Sequence, residues 1–340
     1  MPRPLRVLVT GGLGYVGGWI SARMAAAGHE LFVLSSRPRA QQQAFAYTHV
    51  TADLATADSS ELAALLPDTL DAVIHAASLN EAFAPEYARR ALLINALGTR
   101  TLLEALAKKS EKNSASSAMP LVIYCSTFHV YGASSGHITE NSPAQPVGDY
   151  ALTHYFAEEY CRAAMRASGP PCIIVRLTNG YGAAKTPVHS KWHLLINDLC
   201  RAAAQSGTIV LRSNPAVRRD FVWLGDMAET CEALAHRRDL AGRLFNVASG
   251  HSFGIGEIAD RIAAVAEKVL GHAVPVVREF QETHSQVSDF KHALATGQLL
   301  HVDNTALQKA LGLCFHDKLD EEAAAILAFL QKQIGASEGV

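Results

Sequence analysis

No two cysteines in this chain stand in a C-x-x-C spacing; the six lie at 125, 161, 172, 200, 231 and 314. That excludes the commonest thiolate zinc sites and thioredoxin-like redox motifs, and no metal is expected. Several of the six sit inside apolar stretches, which reads as buried free thiols in a reducing, cytoplasmic setting. Excess charge is lacking too. Thirty Lys and Arg against 32 Asp and Glu leave a net charge of −2, with no basic footprint for nucleic acid. No apolar run approaches a membrane span. The apolar residues before Thr10 are too few for a signal peptide. There is no internal repeat, and the serine-rich stretch KSEKNSASSAM at 109–119 reads as a solvated loop.

What remains is a chain of 340 residues, 49% hydrophobic, long enough for a large core or two domains. Val7-Leu8-Val9-Thr10 runs into Gly11, Gly12, Gly14 and Gly17-Gly18, then a helical pattern to Ala27 and a stop at Gly28. Strand, glycine turn and helix come in the order of a dinucleotide site. Glycines let the backbone approach a pyrophosphate, and the helix N-terminus offers unpaired N–H groups and a partial positive charge. Gly11, Gly14 and Gly17 hold the key places of T-G-G-x-G-x-x-G.

Further short apolar strands are predicted at 30–34, 48–51, 71–75, 121–125 and 172–176, with helices between them, notably 87–108 and 150–166. This alternation predicts an α/β fold: a Rossmann-like, doubly wound parallel sheet with ligands at the carboxyl ends of its strands. The pattern lapses near 178 and returns at 220–247. The expected division is therefore a dinucleotide-binding domain of 1–178 plus 220–247 and a smaller, discontinuous C-terminal substrate domain of 179–219 plus 248–340.

TGGLGYVG at 10–17, CSTFHVYG at 125–132 and YALTH at 150–154 together resemble the extended short-chain dehydrogenase/reductase family of nucleotide-sugar epimerases, dehydratases and reductases. HAAS at 75–78, NALGTRTLLEA at 95–105, RLTNGYG at 176–182, RRDFVWLGDMA at 218–228 and FNVASG at 245–250 agree in order and spacing. The resemblance implies an NAD or NADP cofactor held by Gly11, Gly14, Gly17, Tyr15 and Val16, with Asp53 and Leu54 toward the adenine and Ala76 and Ala77 at the fourth strand. Asn95 would support the active site. Tyr150 would be the acid or base, with Thr127, or its neighbour Ser126, hydrogen-bonding the reacting oxygen. Asn179 and Arg219 match residues that contact a nucleotide diphosphate; an ion pair with neighbouring Asp220 is the other reading of Arg219.

Most relatives of this kind place a lysine four residues after the tyrosine, on the same helix face. Here that position is His154. A phenol titrates at about 10 and an imidazole at about 6.5. His154 is then either a neutral hydrogen-bond donor toward the cofactor ribose or an imidazolium that lowers the phenol's pKa. Phe128-His129 stand where 4,6-dehydratases carry Asp-Glu, which argues against that type. His129 reads as packed against the cofactor or as a proton donor to substrate.

The second strand ends Leu34-Ser35-Ser36-Arg37, with no carboxylate to repel a 2′-phosphate. Ser35, Ser36, Arg37 and also Arg39 lean toward NADP. Lys185, Lys191, His193 and Arg278 are further cationic candidates on the substrate side, while QETHSQVSDFKHAL at 281–294 replaces the family's arginine-rich stretch. The function implied is hydride transfer at a carbon of a nucleotide-linked sugar, by an epimerase or ketoreductase. Two alternatives stay open: a reductase of another small carbonyl compound, and a dinucleotide-binding regulator without turnover. The resemblance also implies a homodimer built on the helices at 87–108 and 150–166.

Overall fold

The computed structural model describes residues 3–37, 44–80, 86–112, 118–132, 135–186, 191–279 and 299–337. Arg39, the stretch at 281–294 and part of the serine-rich loop lie outside these residues. The chain begins with β1 (Arg6–Thr10), α1 (Tyr15–Ala26), β2 (Glu30–Ser35), β3 (Thr48–Thr51), α2 (Ser59–Leu65) and β4 (Ala72–His75). A long helical segment follows, α3 (Tyr87–Ala91), a π turn (Leu92–Leu97) and α4 (Gly98–Lys112). Then come β5 (Leu121–Thr127), β6 (His137–Ile138), α5 (Gly148–Arg166), β7 (Cys172–Leu177), β8 (Asn179–Tyr181), α6 (Leu195–Ser206) and β9 (Ile209–Leu211). The last part comprises β10 (Arg218–Trp223), α7 (Leu224–Ala235), β11 (Leu244–Val247), β12 (Ser252–Gly254), α8 (Ile255–Leu270), β13 (Val276–Arg278), β14 (His301–Val302), α9 (Thr305–Leu311) and α10 (Leu319–Ser337).

Seven strands form one parallel sheet in the order β11-β7-β5-β4-β1-β2-β3. Its central strands are buried on both faces, which is why they read as unbroken apolar runs such as RVLVT and LVIYCST. One face packs against α1 and α7 through Trp19, Ile20, Met24, Met227, Cys231 and Leu234. The other packs against α2, α4 and α5 through Leu62, Leu102, Leu106, Ala157 and Cys161. The order reverses between β1 and β4, and their carboxyl ends open the crevice where this architecture binds ligands.

A second core gathers α6, α8 and α10 with Tyr181 of β8, Ile209 and Leu211 of β9 and Phe221 of β10. Beside it, β12, β10 and β8 form a three-stranded sheet. Leu307 of α9 joins the core of the large sheet, so the C-terminal segment packs on both bodies. The helix predicted at 87–108 is present and longer, but a π turn interrupts it around Asn95. The extra residue of a π turn changes the phase of the helix face, a device frequent at functional sites. No helix among the described residues is long and apolar enough to cross a membrane.

Candidate active site

The glycine turn is closed by its own backbone. Gly14 N–H donates to the Gly11 carbonyl at 2.8 Å, and Gly11 has φ +65, a conformation that favours glycine. A Cβ on Gly17 would stand 2.2 Å from the Gly11 carbonyl oxygen, and one on Gly11 would stand 2.7 Å from Cα of Ala77. Gly14 caps α1 with no side-chain hydrogen bond, so the first N–H groups of that helix face the crevice without a built-in acceptor. These features fit the diphosphate of a dinucleotide. Val16 packs against the sheet core, and the Tyr15 hydroxyl donates to the Gly182 carbonyl at 2.6 Å; both brace the turn.

Around the turn lie the ends of the neighbouring strands. Ser35 Oγ accepts the Arg37 N–H at 3.1 Å, which orders the bend after β2 and leaves Ser36 and Arg37 exposed. Asp53 accepts the Ala55 N–H at 2.9 Å and is otherwise exposed, while Leu54 is buried against Gly98. Ala76 N–H donates to the Thr10 carbonyl at 3.2 Å, and Ala77 N–H to Thr10 Oγ1 at 3.2 Å.

Thr10 opens a directional polar chain. The Thr99 hydroxyl donates to the Asn95 carbonyl at 2.6 Å, so it accepts from His75 Nε2 at 2.8 Å. His75 Nδ1 is then an acceptor, and Thr10 Oγ1 donates to it at 2.6 Å. Burial, then His154, lowers His75 to about 3. Asn95, on the π turn, holds the loop after β4 by accepting the Leu79 N–H at 2.7 Å and donating to its carbonyl at 3.1 Å. The same amide donates to Thr153 Oγ1 at 3.1 Å, which ties that loop to α5.

Tyr150 lies in the first turn of α5, partly buried. Its dry surroundings raise the phenol above 10, and a hydrogen bond with the Thr127 side chain works against that rise. Thr127 ends β5 and also accepts the His129 N–H at 3.3 Å. His129 stacks edge-on to Tyr150 with ring centroids 5.9 Å apart. Although its side chain reaches solvent, desolvation first and Arg219 second lower its pKa.

His154 packs edge-on to Tyr150 at 4.7 Å between ring centroids and is 2% exposed. Its Nδ1 meets the Tyr124 hydroxyl at 2.7 Å and its Nε2 meets Ser78 Oγ at 3.0 Å. Burial, then His129, lowers its pKa to about 3, so the imidazole is neutral. Both ring nitrogens face protein hydroxyls, so the ring is neutral but is not aimed directly at a cofactor ribose.

Ser126 is placed elsewhere. Its hydroxyl donates to Glu158 at 2.7 Å, in a buried cluster where Arg176 donates to both carboxylate oxygens at 2.8 and 2.6 Å. Asn179 Nδ2 donates to the Asp220 carbonyl at 2.8 Å. Asp220 accepts from Thr178, Ser249 and Gly250, and Arg218 pairs with Glu257 at 2.8 Å. Arg219 is exposed and has no ion pair among the described residues. The Arg219–Asp220 ion pair is thereby excluded. Lys185 covers the Trp19 ring at 3.8 Å, Lys191 reaches Asn80 at 3.0 Å and Arg278 pairs with Asp260 at 2.7 Å.

Thr10, His75, Ser78, Thr99 and Tyr124 were not singled out from sequence as members of the site. The available signal was polarity at strand ends, a His and a Tyr embedded in apolar strands, which pack inside only when hydrogen-bonded. Two other features carry no such chemistry. A cavity of about 40 Å³ lined by Tyr181, Phe221, His251, Arg261 and His316 holds a few waters at most. His29, Glu232 and His236 have metal-like spacing. Yet His29 Nδ1 accepts the Leu5 N–H at 3.1 Å, which puts the ring proton on Nε2, the atom facing Glu232. A protonated nitrogen has no lone pair for a metal.

The model of the NAD dependent epimerase/dehydratase family matches residues 7–248. The chain is 31% identical over 254 residues to a dTDP-6-deoxy-L-talose 4-dehydrogenase (NAD(P)(+)) of Kitasatospora kifunensis, covering 73% of this chain and 74% of the other. It is 27% identical over 299 residues to a dTDP-L-rhamnose 4-epimerase of Burkholderia thailandensis, covering 76% and 80%. The fold is similar to that of RMD from Pseudomonas aeruginosa, solved with NADPH, at 23% identity and a TM-score of 0.74 over 97% of this chain and 98% of that one.

Proposed function

Because this chain belongs to the NAD dependent epimerase/dehydratase family, we propose that it is a nicotinamide-dependent epimerase or ketoreductase of a nucleotide-linked sugar, with Tyr150 as its acid and base. The observation that carries this reading is the placement of Tyr150 in the first turn of α5 where the Thr127 side chain, at the end of β5, acts on its phenol at the carboxyl edge of the sheet. A bound nicotinamide supplies the hydride acceptor or donor. Tyr150 takes the proton of a sugar hydroxyl as the carbon is oxidised and returns it on reduction, while Thr127 hydrogen-bonds the reacting oxygen. His154 contributes no charge to the phenol; an oxidised nicotinamide, when bound, would supply a positive charge that favours the phenolate.

Gly11, Gly14 and Gly17 hold the diphosphate of the dinucleotide, and Asp53 lies toward the adenine. Exposed Ser36 and Arg37 with Ser35 favour a 2′-phosphate, hence NADP over NAD. Arg219, unpaired among the described residues, binds the substrate diphosphate, with Asn179 beside it. Phe128 and His129 provide no Asp-Glu pair, so the reaction is not a 4,6-dehydration of that type. This reading divides the chain into the two units expected from sequence, 1–178 plus 220–247 and 179–219 plus 248–340. One observation favours a second reading, a dinucleotide-binding regulator: no cation neighbours Tyr150 within α5, where His154 is neutral.

The test pairs activity with binding. Tyr150→Phe should lower kcat on dTDP- or UDP-linked sugars by at least about a hundredfold, the scale of a general acid–base group, with NADH and NADPH affinities nearly unchanged. NADPH should bind the tighter. Wild-type protein that binds dinucleotide yet turns over none of these sugars would move the assignment to the regulator.

A further inference from the structure

We propose that Ser78 is a ligand-contacting hydroxyl that donates to a hydroxyl oxygen of a sugar ring, and that Tyr124 positions it through His154. This rests on the reading of the Tyr150 crevice as a dinucleotide and sugar site. Ser78 follows β4 directly after Ala77, whose backbone touches the glycine turn. The ring of His154, which Ser78 meets at 3.0 Å, packs on Tyr150.

Hydrogen-bond direction decides the rest. Tyr124 is 1% exposed, and His154 Nδ1 is its hydroxyl's one acceptor among the described residues. If Nδ1 carried the proton, the Tyr124 O–H would be buried without an acceptor, a costly arrangement. Tyr124 therefore donates to Nδ1, and the imidazole proton sits on Nε2. Nε2–H donates to Ser78 Oγ. Ser78, already accepting there, is exposed and has its own O–H left to donate into the crevice. A single uncharged donor next to a neutral imidazole suits a hydroxyl oxygen better than a phosphate, for which the glycine turn and the α1 N-terminus are the built site. The sugar is the ribose of the dinucleotide or the sugar of the substrate. A single short lysine replacement thus becomes a relay of two side chains, His154 supplying orientation and Ser78 the reach.

Binding and NMR test it together. Nitrogen-15 spectra of the wild type should show His154 as the Nε2–H tautomer, and Tyr124→Phe should give a mixture of tautomers. Ser78→Ala should weaken binding about fivefold, the scale of one neutral hydrogen bond. A loss for NADH and NADPH assigns the contact to the ribose; a loss for UDP-glucose alone, with cofactor bound, assigns it to the substrate. An Nδ1–H tautomer, or Ser78→Ala affinities equal to wild type for all three ligands, overturns the proposal. Should the wild type bind neither dinucleotide, the reading of the crevice fails, and the tautomer still decides the relay.

Discussion

At the scale of single residues, two buried histidines are held neutral by directional hydrogen bonds as well as by dry surroundings. His75 and His154 are both lowered to about 3 by burial first. In the unfolded chain each titrates near 6.5, so the unfolded state binds more protons below that value. Their contribution to stability is fully present above about 6.5 and is lost as pH falls toward about 3. Between pH 7 and pH 5 each should cost roughly 2 kcal/mol. Urea unfolding of wild type and His75→Gln at the two pH values checks this: the drop should shrink by about that amount in the variant. Parallel drops would mean that His75 is not held neutral.

At the scale of elements, the π turn, the glycine turn and the Glu158–Arg176 pair each fix the angle of one segment against another. Arg176 of β7 grips Glu158 of α5 with two hydrogen bonds and lies 4.4 Å from the Tyr131 ring centroid. The pair ties β7 to the helix that carries Tyr150 and His154, and breaking a buried pair of this kind leaves a poorly compensated charge. The glycine turn is the least tolerant element. In Gly17→Ala the new Cβ, 2.2 Å from the Gly11 carbonyl, must push the turn open. The expected result is at least a tenfold loss of NADH and NADPH affinity, one lost charge-assisted hydrogen bond being worth about 1.5–3 kcal/mol, measured by fluorescence titration. Unchanged affinity would show that the turn does not cradle the cofactor.

At the scale of the whole molecule, α1 is the joint between the two cores. Tyr15 bonds the Gly182 carbonyl, Trp19 meets Trp223 edge-on at 5.7 Å and Trp223 bonds Glu322 at 2.9 Å. The helix that begins the dinucleotide site is therefore braced by the body expected to carry substrate. On the opposite face of the sheet, the long helical segment and α5 leave Leu92, Leu97, Leu152 and Phe156 exposed at 40, 36, 36 and 41%. Together with the helix pairing implied by the sequence, this unpartnered apolar surface supports a homodimer. Light scattering should find twice the chain mass for the wild type, and Phe156→Asp with Leu97→Asp should give a monomer of unchanged circular dichroism. A monomeric wild type would refute the dimer.

The alternation of strands and helices, the glycine turn and the positions of Tyr150 and Thr127 were determined by the sequence itself. Each is a local pattern, since backbone periodicity and turn chemistry depend on neighbours within a few residues. The family segments were legible for the same reason, as short runs at the strand ends. The state of His154 was not. It depends on Tyr124 and Ser78, which arrive from β5 and the end of β4, and on burial that no local spacing encodes. The same holds for Ser126, claimed by Glu158 across the core, and for Arg219, left exposed while Asp220 turns to Ser249. Local pattern chose the elements and the candidate site residues; tertiary packing decided which of those side chains carry charge, because desolvation and hydrogen-bond direction are properties of the assembled interior.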